Sequence, residues 1–216
     1  VVTLLAFATA AYAFSGEPVL SSSFPYKILT YSVTITIDQE SHGRASGTAT
    51  VDTTTVYRNQ GGAGTGTLVI PEVFNGPAVP DLGMTVTWDK QPVTLQPMAT
   101  KPYGQDQERD LNASVALRAD GTHALRVHYT MSLQKAGYGA NQFKLGYLMS
   151  DQAPIGLLTF AFKYTPASVF TLPNVMPDWH WQVGRSGASS RQVNFTPKKD
   201  FVTMQFYPNG FNQIGK

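Results

Sequence analysis

The 216-residue chain contains no cysteine, which excludes disulfides, thiolate nucleophiles and thiolate metal sites. The absence leaves the compartment open, because a chain this long can bury enough core to hold together without a covalent staple. Charge is the second scarcity. Asp, Glu, Lys and Arg make up 14% of residues, against roughly a quarter in an average soluble protein. A formal net charge of +2 gives no electrostatic case for nucleic acid as a partner. Helix signals are the third: past the first fourteen residues no window holds an apolar stripe at helical spacing between caps.

What remains is apolar and threonine-rich. Hydrophobic residues reach 42%, enough to exclude wholesale disorder, and 23 threonines carry much of the polar face. Leu29, Tyr31, Val33, Ile35 and Ile37 alternate with Thr30, Ser32, Thr34, Thr36 and Asp38, the period of a strand with one apolar face. After the turn-like Gln39 to Gly43, residues Ala45, Ala49, Val51 and Tyr57 share one parity, which predicts a hairpin. A second hairpin is predicted from Met84–Trp88 through Asp89-Lys90-Gln91 to Pro92–Leu95. A third runs from Leu111–Leu117 through Asp120-Gly121 to Leu125–Leu133, because that dipeptide tolerates the positive φ of tight turns. Asn59 to Gly66 reads as a flexible break, and Gln96 to Asp110 as a long polar excursion. About ten strands at hairpin spacing predict an all-β antiparallel sandwich, one domain over residues 25–210.

Val1 to Ala13, VVTLLAFATAAYA, is apolar and closes on Ala11-Tyr12-Ala13, the small-x-small form that precedes a signal-peptidase cut. As a helix it would span about 20 Å, short of a ~30 Å hydrocarbon core. It is expected to be the remnant of a secretory signal, the mature chain starting near Phe14 in the periplasm or outside the cell. The rival expectation is an apolar arm that anchors the chain or fills a neighbouring subunit's groove.

No constellation carries chemistry. Gly61, Gly62, Gly64 and Gly66 lack the following helix that a phosphate loop needs. His42, His123, His128 and His180 have no zinc spacing. Asp106, Glu108 and Asp110 could give oxygens to calcium, though Arg109 lies among them. No Gly-x-Ser-x-Gly elbow occurs. Asp178-Trp179-His180-Trp181 places both indoles on one face of a strand. With Val183 on the same parity, that face is expected to be core. If wet, Trp179 and Trp181, with Tyr103 or Tyr138, would stack on sugar rings.

Tyr31 to Asn59, within YSVTITIDQESHGRASGTATVDTTTVYRNQ, resembles the opening of the non-catalytic N-terminal sandwich of the zinc aminopeptidases. The resemblance implies a β-sandwich and no activity, since His-Glu-x-x-His is absent. Val86–Leu95 and His123–Leu133 are similar to pieces of bacterial secreted sandwich proteins. The expected function is therefore a non-enzymatic envelope protein without cofactor or resident metal. It would have a structural or protein-interaction role, with a filament subunit as its sharpest form. A carbohydrate-binding module is the alternative, ahead of an envelope-polymer hydrolase with no nameable catalytic residue.

Overall fold

The computed structural model describes residues 13–39, 45–75, 81–135, 143–150, 152–165, 171–184, 186–198 and 200–207. Among them there are eighteen strands and no helix. In chain order these are β1 (Ala13–Ser15), β2 (Val19–Ser21), β3 (Tyr26–Gln39), β4 (Ala45–Asn59), β5 (Gly64–Phe74), β6 (Thr85–Trp88), β7 (Gln91–Pro92), β8 (Gln96–Pro97) and β9 (Lys101–Tyr103). There follow β10 (Asp106–Leu117), β11 (Thr122–Ser132), β12 (Gln134–Lys135), β13 (Phe143–Met149), β14 (Ile155–Thr165), β15 (Thr171–Met176), β16 (Gln182–Gly184), β17 (Gly187–Phe195) and β18 (Asp200–Tyr207). The excess over the expected ten is mostly pieces of two or three residues at sheet edges.

One layer is an eight-stranded sheet in the order β16-β17-β14-β3-β4-β11-β6-β7. Its pairs are antiparallel except β14, which lies parallel to β3. The other layer joins a six-stranded sheet (β1-β5-β10-β8, with β2 on β5 and β9 on β10) to a four-stranded one (β12-β13-β18-β15). The seam is a parallel bridge between Gly16 and Leu148. There the Gly16 N–H donates to Pro71 O at 3.0 Å and the Glu17 N–H to Leu148 O at 2.7 Å. A Cβ on residue 16 would lie 2.8 Å from Leu148 O and 3.0 Å from Pro71 Cγ, so only glycine lets the backbones approach this closely. The architecture is the all-β sandwich expected, with one parallel pair added.

Tyrosines tie the layers together through a continuous core. The Tyr31 and Tyr147 hydroxyls bond to each other across it, Tyr129 OH donates to Ser15 O at 3.0 Å, and Tyr57 OH to Pro18 O at 3.4 Å. Leu125, Val127, Tyr129, Met131 and Leu133 are all buried, as the period predicts. Tyr31, Val33, Ile35 and Ile37 are buried too, but Leu29 is exposed. Ile28 pairs with Tyr57 and Thr30 with Val56, so Leu29 is the extra residue of a bulge that reverses the side-chain parity.

Four other readings need correction. The β10 and β11 strands flanking Asp120-Gly121 do not pair: β10 joins β5 and β11 joins β4, in different layers. The turn is real, with Asp120 at φ 48°, but it is a crossover between sheets. Asn59 to Gly66 is a fastened turn, with Asn59 buried and its Nδ2 donating to Gly62 O and Arg118 O, both at 2.8 Å. Gln96 to Asp110 contributes β8, β9 and the start of β10. The sheets also begin at Ala13, ahead of residue 25, since Ala13 pairs with Phe74 and Val19 with Val69. Val1–Tyr12 lies outside the described residues. No helix among those described is long and apolar enough to cross a membrane.

Candidate functional site

The β6–β7 turn holds Asp89 and Lys90 at φ 51° and 69°, a geometry that matches the twist of a two-residue hairpin. It delivers Asp89 to His123. The His123 Nδ1 lies 2.8 Å from Asp89 Oδ2, and its Nε2 accepts the Arg118 N–H at 3.0 Å. That acceptance places the ring proton on Nδ1. Burial raises the Asp89 carboxyl, but the Ala124 N–H, His123 and Arg118 together hold it below the usual range. The Trp88 ring stacks on His123 at 5.0 Å and donates its Nε1–H to Ala116 O at 3.0 Å. Both imidazole nitrogens are thus engaged, and this Asp–His pair fastens a crossover.

The opposite flank, at β16 and β17, is built differently. Trp179 and Trp181 lie in the loop between β15 and β16, with His180 at φ 56°. Strand spacing therefore does not apply to them. The indoles stack face to face, 5.9 Å apart and 14° from parallel, so they make no coplanar platform. Both are half-buried against the core, Trp181 over Phe160 and Phe162, while Val183 is 45% exposed. The apolar stripe through Val183 does not form. The Trp179 carbonyl accepts from Ser190 Oγ at 2.5 Å and Gln192 Nε2 at 2.7 Å, and Trp181 Nε1–H donates to Pro177 O at 2.8 Å. These bonds fix the loop. Between it and the four-stranded sheet is a cleft of about 250 Å³ walled by Trp179, Phe195, Met149, Phe201 and Val202, with Lys198 at its lining.

Behind that cleft lies the seam. Glu17 is 1% exposed and receives the Ser150 N–H on Oε2 at 2.8 Å. Burial pushes its carboxyl up to about 8, against the hydrogen bonds from Ser150 and Gln152. Its Oε1 has no hydrogen-bond partner, nor has Gln152 Oε1. The other buried glutamates described on this layer are paired, Glu108 with Lys101 at 3.1 Å and Glu72 with Arg109, which donates through Nε at 2.9 Å and a terminal nitrogen at 2.5 Å. A charge that meets no cation is costly in such surroundings.

The remaining sequence candidates are dispersed. Asp106, Glu108 and Asp110 sit on β10 rather than in a loop, and Lys101 Nζ lies 3.1 Å from Glu108 and 3.0 Å from Asp110. That ammonium, its own value raised by Asp110 and Glu108, meets these carboxylates where calcium was considered. No three metal-ligating side chains come together among the described residues. His128 is exposed and pairs with Asp52 at 2.8 Å. The ring of Phe24 lies against Gly61, Gly62 and Gly64. Tyr103 packs edge-on to Phe201 at 6.3 Å, one residue from the cleft, while His42 and Tyr138 lie outside the described residues. Sequence reasoning missed Glu17, Met149, Phe195, Lys198 and Phe201. Only Glu17 carried a signal, an acid set between Phe14 and Leu20 in an otherwise uncharged stretch.

No family model matches the sequence, and no curated protein matches it either. Solved structures do. A Legionella pneumophila protein provisionally described as nutrient binding aligns with TM-score 0.70 at 12% identity, over 91% of this chain and 71% of that one. An M1 zinc metallopeptidase from Deinococcus radiodurans aligns with TM-score 0.44 at 11% identity, over 88% of this chain and 43% of that one. The chain spans less than half of that enzyme. At such identities the likeness shows fold alone.

Proposed function

We propose that the chain is an exported, non-enzymatic β-sandwich that works by binding, and that it binds in the Trp179 cleft. The observation that carries this reading is a half-buried indole, fixed in place by bonds to its own carbonyl, walling an open apolar cleft with one cation beside it. Rigid aromatic walls with a few placed polar groups are the usual make-up of small-molecule sites. A cleft of about 250 Å³ suits a small apolar molecule of one or two rings bearing a negative charge for Lys198. The description of the Legionella protein as nutrient binding supports binding as the mode of action. The apolar Val1–Ala13 stretch supports export.

A structural or filament role keeps that same stretch as support, as an assembly arm, but strand-edge pairing offers it little. The edge strands β7, β8, β9 and β15 carry Pro92, Pro97, Pro102 and Pro173, and β12 and β16 are two and three residues long. Proline and short edges are standard protection against edge-to-edge association. The face-to-face stacking of Trp179 and Trp181 likewise gives sugar rings no broad platform.

The test uses 1-anilinonaphthalene-8-sulfonate, an apolar dye with one negative charge. Saturable binding that is lost in Trp179→Ala supports the reading. Retention of the protein on a polysaccharide with no dye competition overturns it in favour of glycan. N-terminal sequencing of the native protein tests export, the expected start lying near Phe14.

A further inference from the structure

Glu17 grips the cleft from behind. Its N–H donates to Leu148 O at 2.7 Å, its Oε2 accepts the Ser150 N–H at 2.8 Å, and its carbonyl accepts from Ser150 Oγ at 3.2 Å. All three bonds go to the two residues flanking Met149, and Met149 is a wall of the cleft. We propose that Glu17 is a positioning residue that couples proton uptake to ligand binding: protonated, it stays dry in the closed seam and the cleft stays formed; ionised, it keeps the Ser150 N–H but draws water to Oε1, which parts Leu148–Ser150 from Gly16 and releases the ligand. The inference rests on the binding reading above and names the regulation of that site.

The physical cause is the lack of anything to receive the charge. The titratable groups whose fields reach this carboxyl are the phenols of Tyr26 and Tyr31 on β3, Tyr57 on β4 and Tyr147 on β13. From the near side it meets the Ser150 N–H and the Gln152 amide. No lysine, arginine or histidine among the described residues forms an ion pair with it. Burial raises the carboxyl to about 8, so it is neutral in mildly acidic surroundings and ionises in mildly alkaline ones. The ionised group must find water for Oε1, which has no partner. At the Gly16–Leu148 contact there is no room even for a Cβ, so water drawn to Oε1 through the seam must part it.

Two readouts test the coupling. The first is dye affinity between about pH 6 and about pH 9. It is expected to fall roughly tenfold in the wild type, a coupling of ordinary allosteric size, and to change less than about twofold in Glu17→Gln. The second needs neither ligand nor variant: the methyl resonance of Met149, which lines the cleft together with Trp179 and Phe201, should titrate with a midpoint near 8. In Glu17→Gln, whose amide still accepts the Ser150 N–H, it should be flat. Dye binding absent at every pH, with the methyl still titrating, overturns the binding site and upholds the proton coupling. Dye binding and a methyl resonance that both ignore pH overturn the coupling and leave the binding site standing.

Discussion

The two flanks of the eight-stranded sheet each carry tryptophan, and they end differently. At the β6 flank Trp88 is buried, its N–H is bonded, its neighbour His123 has both nitrogens engaged, and Asp89 meets three donors. At the β17 flank the Trp179 carbonyl and the Trp181 N–H are bonded, yet both rings are only partly buried, and Trp179 walls a cleft. A sealed flank has nothing left to offer a ligand. An open flank with immobile walls does, because the cost of ordering it is met in folding rather than in binding. The comparison teaches that burial of tryptophan alone does not separate core from site; the state of its neighbours does.

The largest expected effect falls on the sealed flank. Trp88→Ala should cost about 5 kcal/mol, the upper end for truncating a buried aromatic, a large share of a typical stability of about 5–15 kcal/mol. Urea denaturation measures it, and a cost below about 1 kcal/mol would erase the distinction between the flanks. The second effect belongs to the seam. Glu17 moves from 4.5 to about 8 on folding, so the folded protein keeps a proton that the unfolded chain has released. Stability should therefore be highest below about pH 4.5 as far as this group is concerned, fall as pH rises, and level off past about pH 8. The drop is on the order of 5 kcal/mol. Glu17→Gln should flatten that dependence and be the more stable protein at pH 8.

Smaller effects sharpen the open flank. Trp181→Ala removes a half-buried ring and its bond to Pro177, and should lower stability by about 2 kcal/mol. Differential scanning calorimetry showing an unchanged melting temperature would place Trp181 outside the core altogether. Lys198→Ala should leave stability within about 0.5 kcal/mol while weakening dye binding several-fold. Equal dye affinity in both proteins would remove the charge from the proposed ligand.

The sandwich was legible wherever side-chain period and pairing partner coincide. The alternation of β3, β4 and β11 reads directly because each strand has one dry face. Leu29 escaped because a bulge shifts parity without any mark in composition. Asp120-Gly121 announced a turn correctly, but a turn dipeptide says only that the chain reverses, not which strands then pair. The Asp106, Glu108 and Asp110 series looked like a loop since their partner Lys101 lies on another strand. Glu17 stood out as a lone acid, but its setting was hidden for the same reason at greater range: the Ser150 N–H that its carboxyl accepts lies 133 residues away.

The parallel pairing of β14 with β3 has a consequence for the order of assembly. A chain emerging from its N-terminus can complete the β3–β4 hairpin at once and add β11 when Thr122–Ser132 has emerged. The other side of β3 must then wait for Ile155–Thr165, and β17 and the Trp179 loop wait for β14. Closing so long a connection is entropically slow. Until it closes, Phe160 is missing from beside Tyr147, and Phe160 and Phe162 from beneath Trp181. The open flank is thus the last part of the molecule to exist, and a chain intercepted before that point would carry a finished hairpin but no cleft.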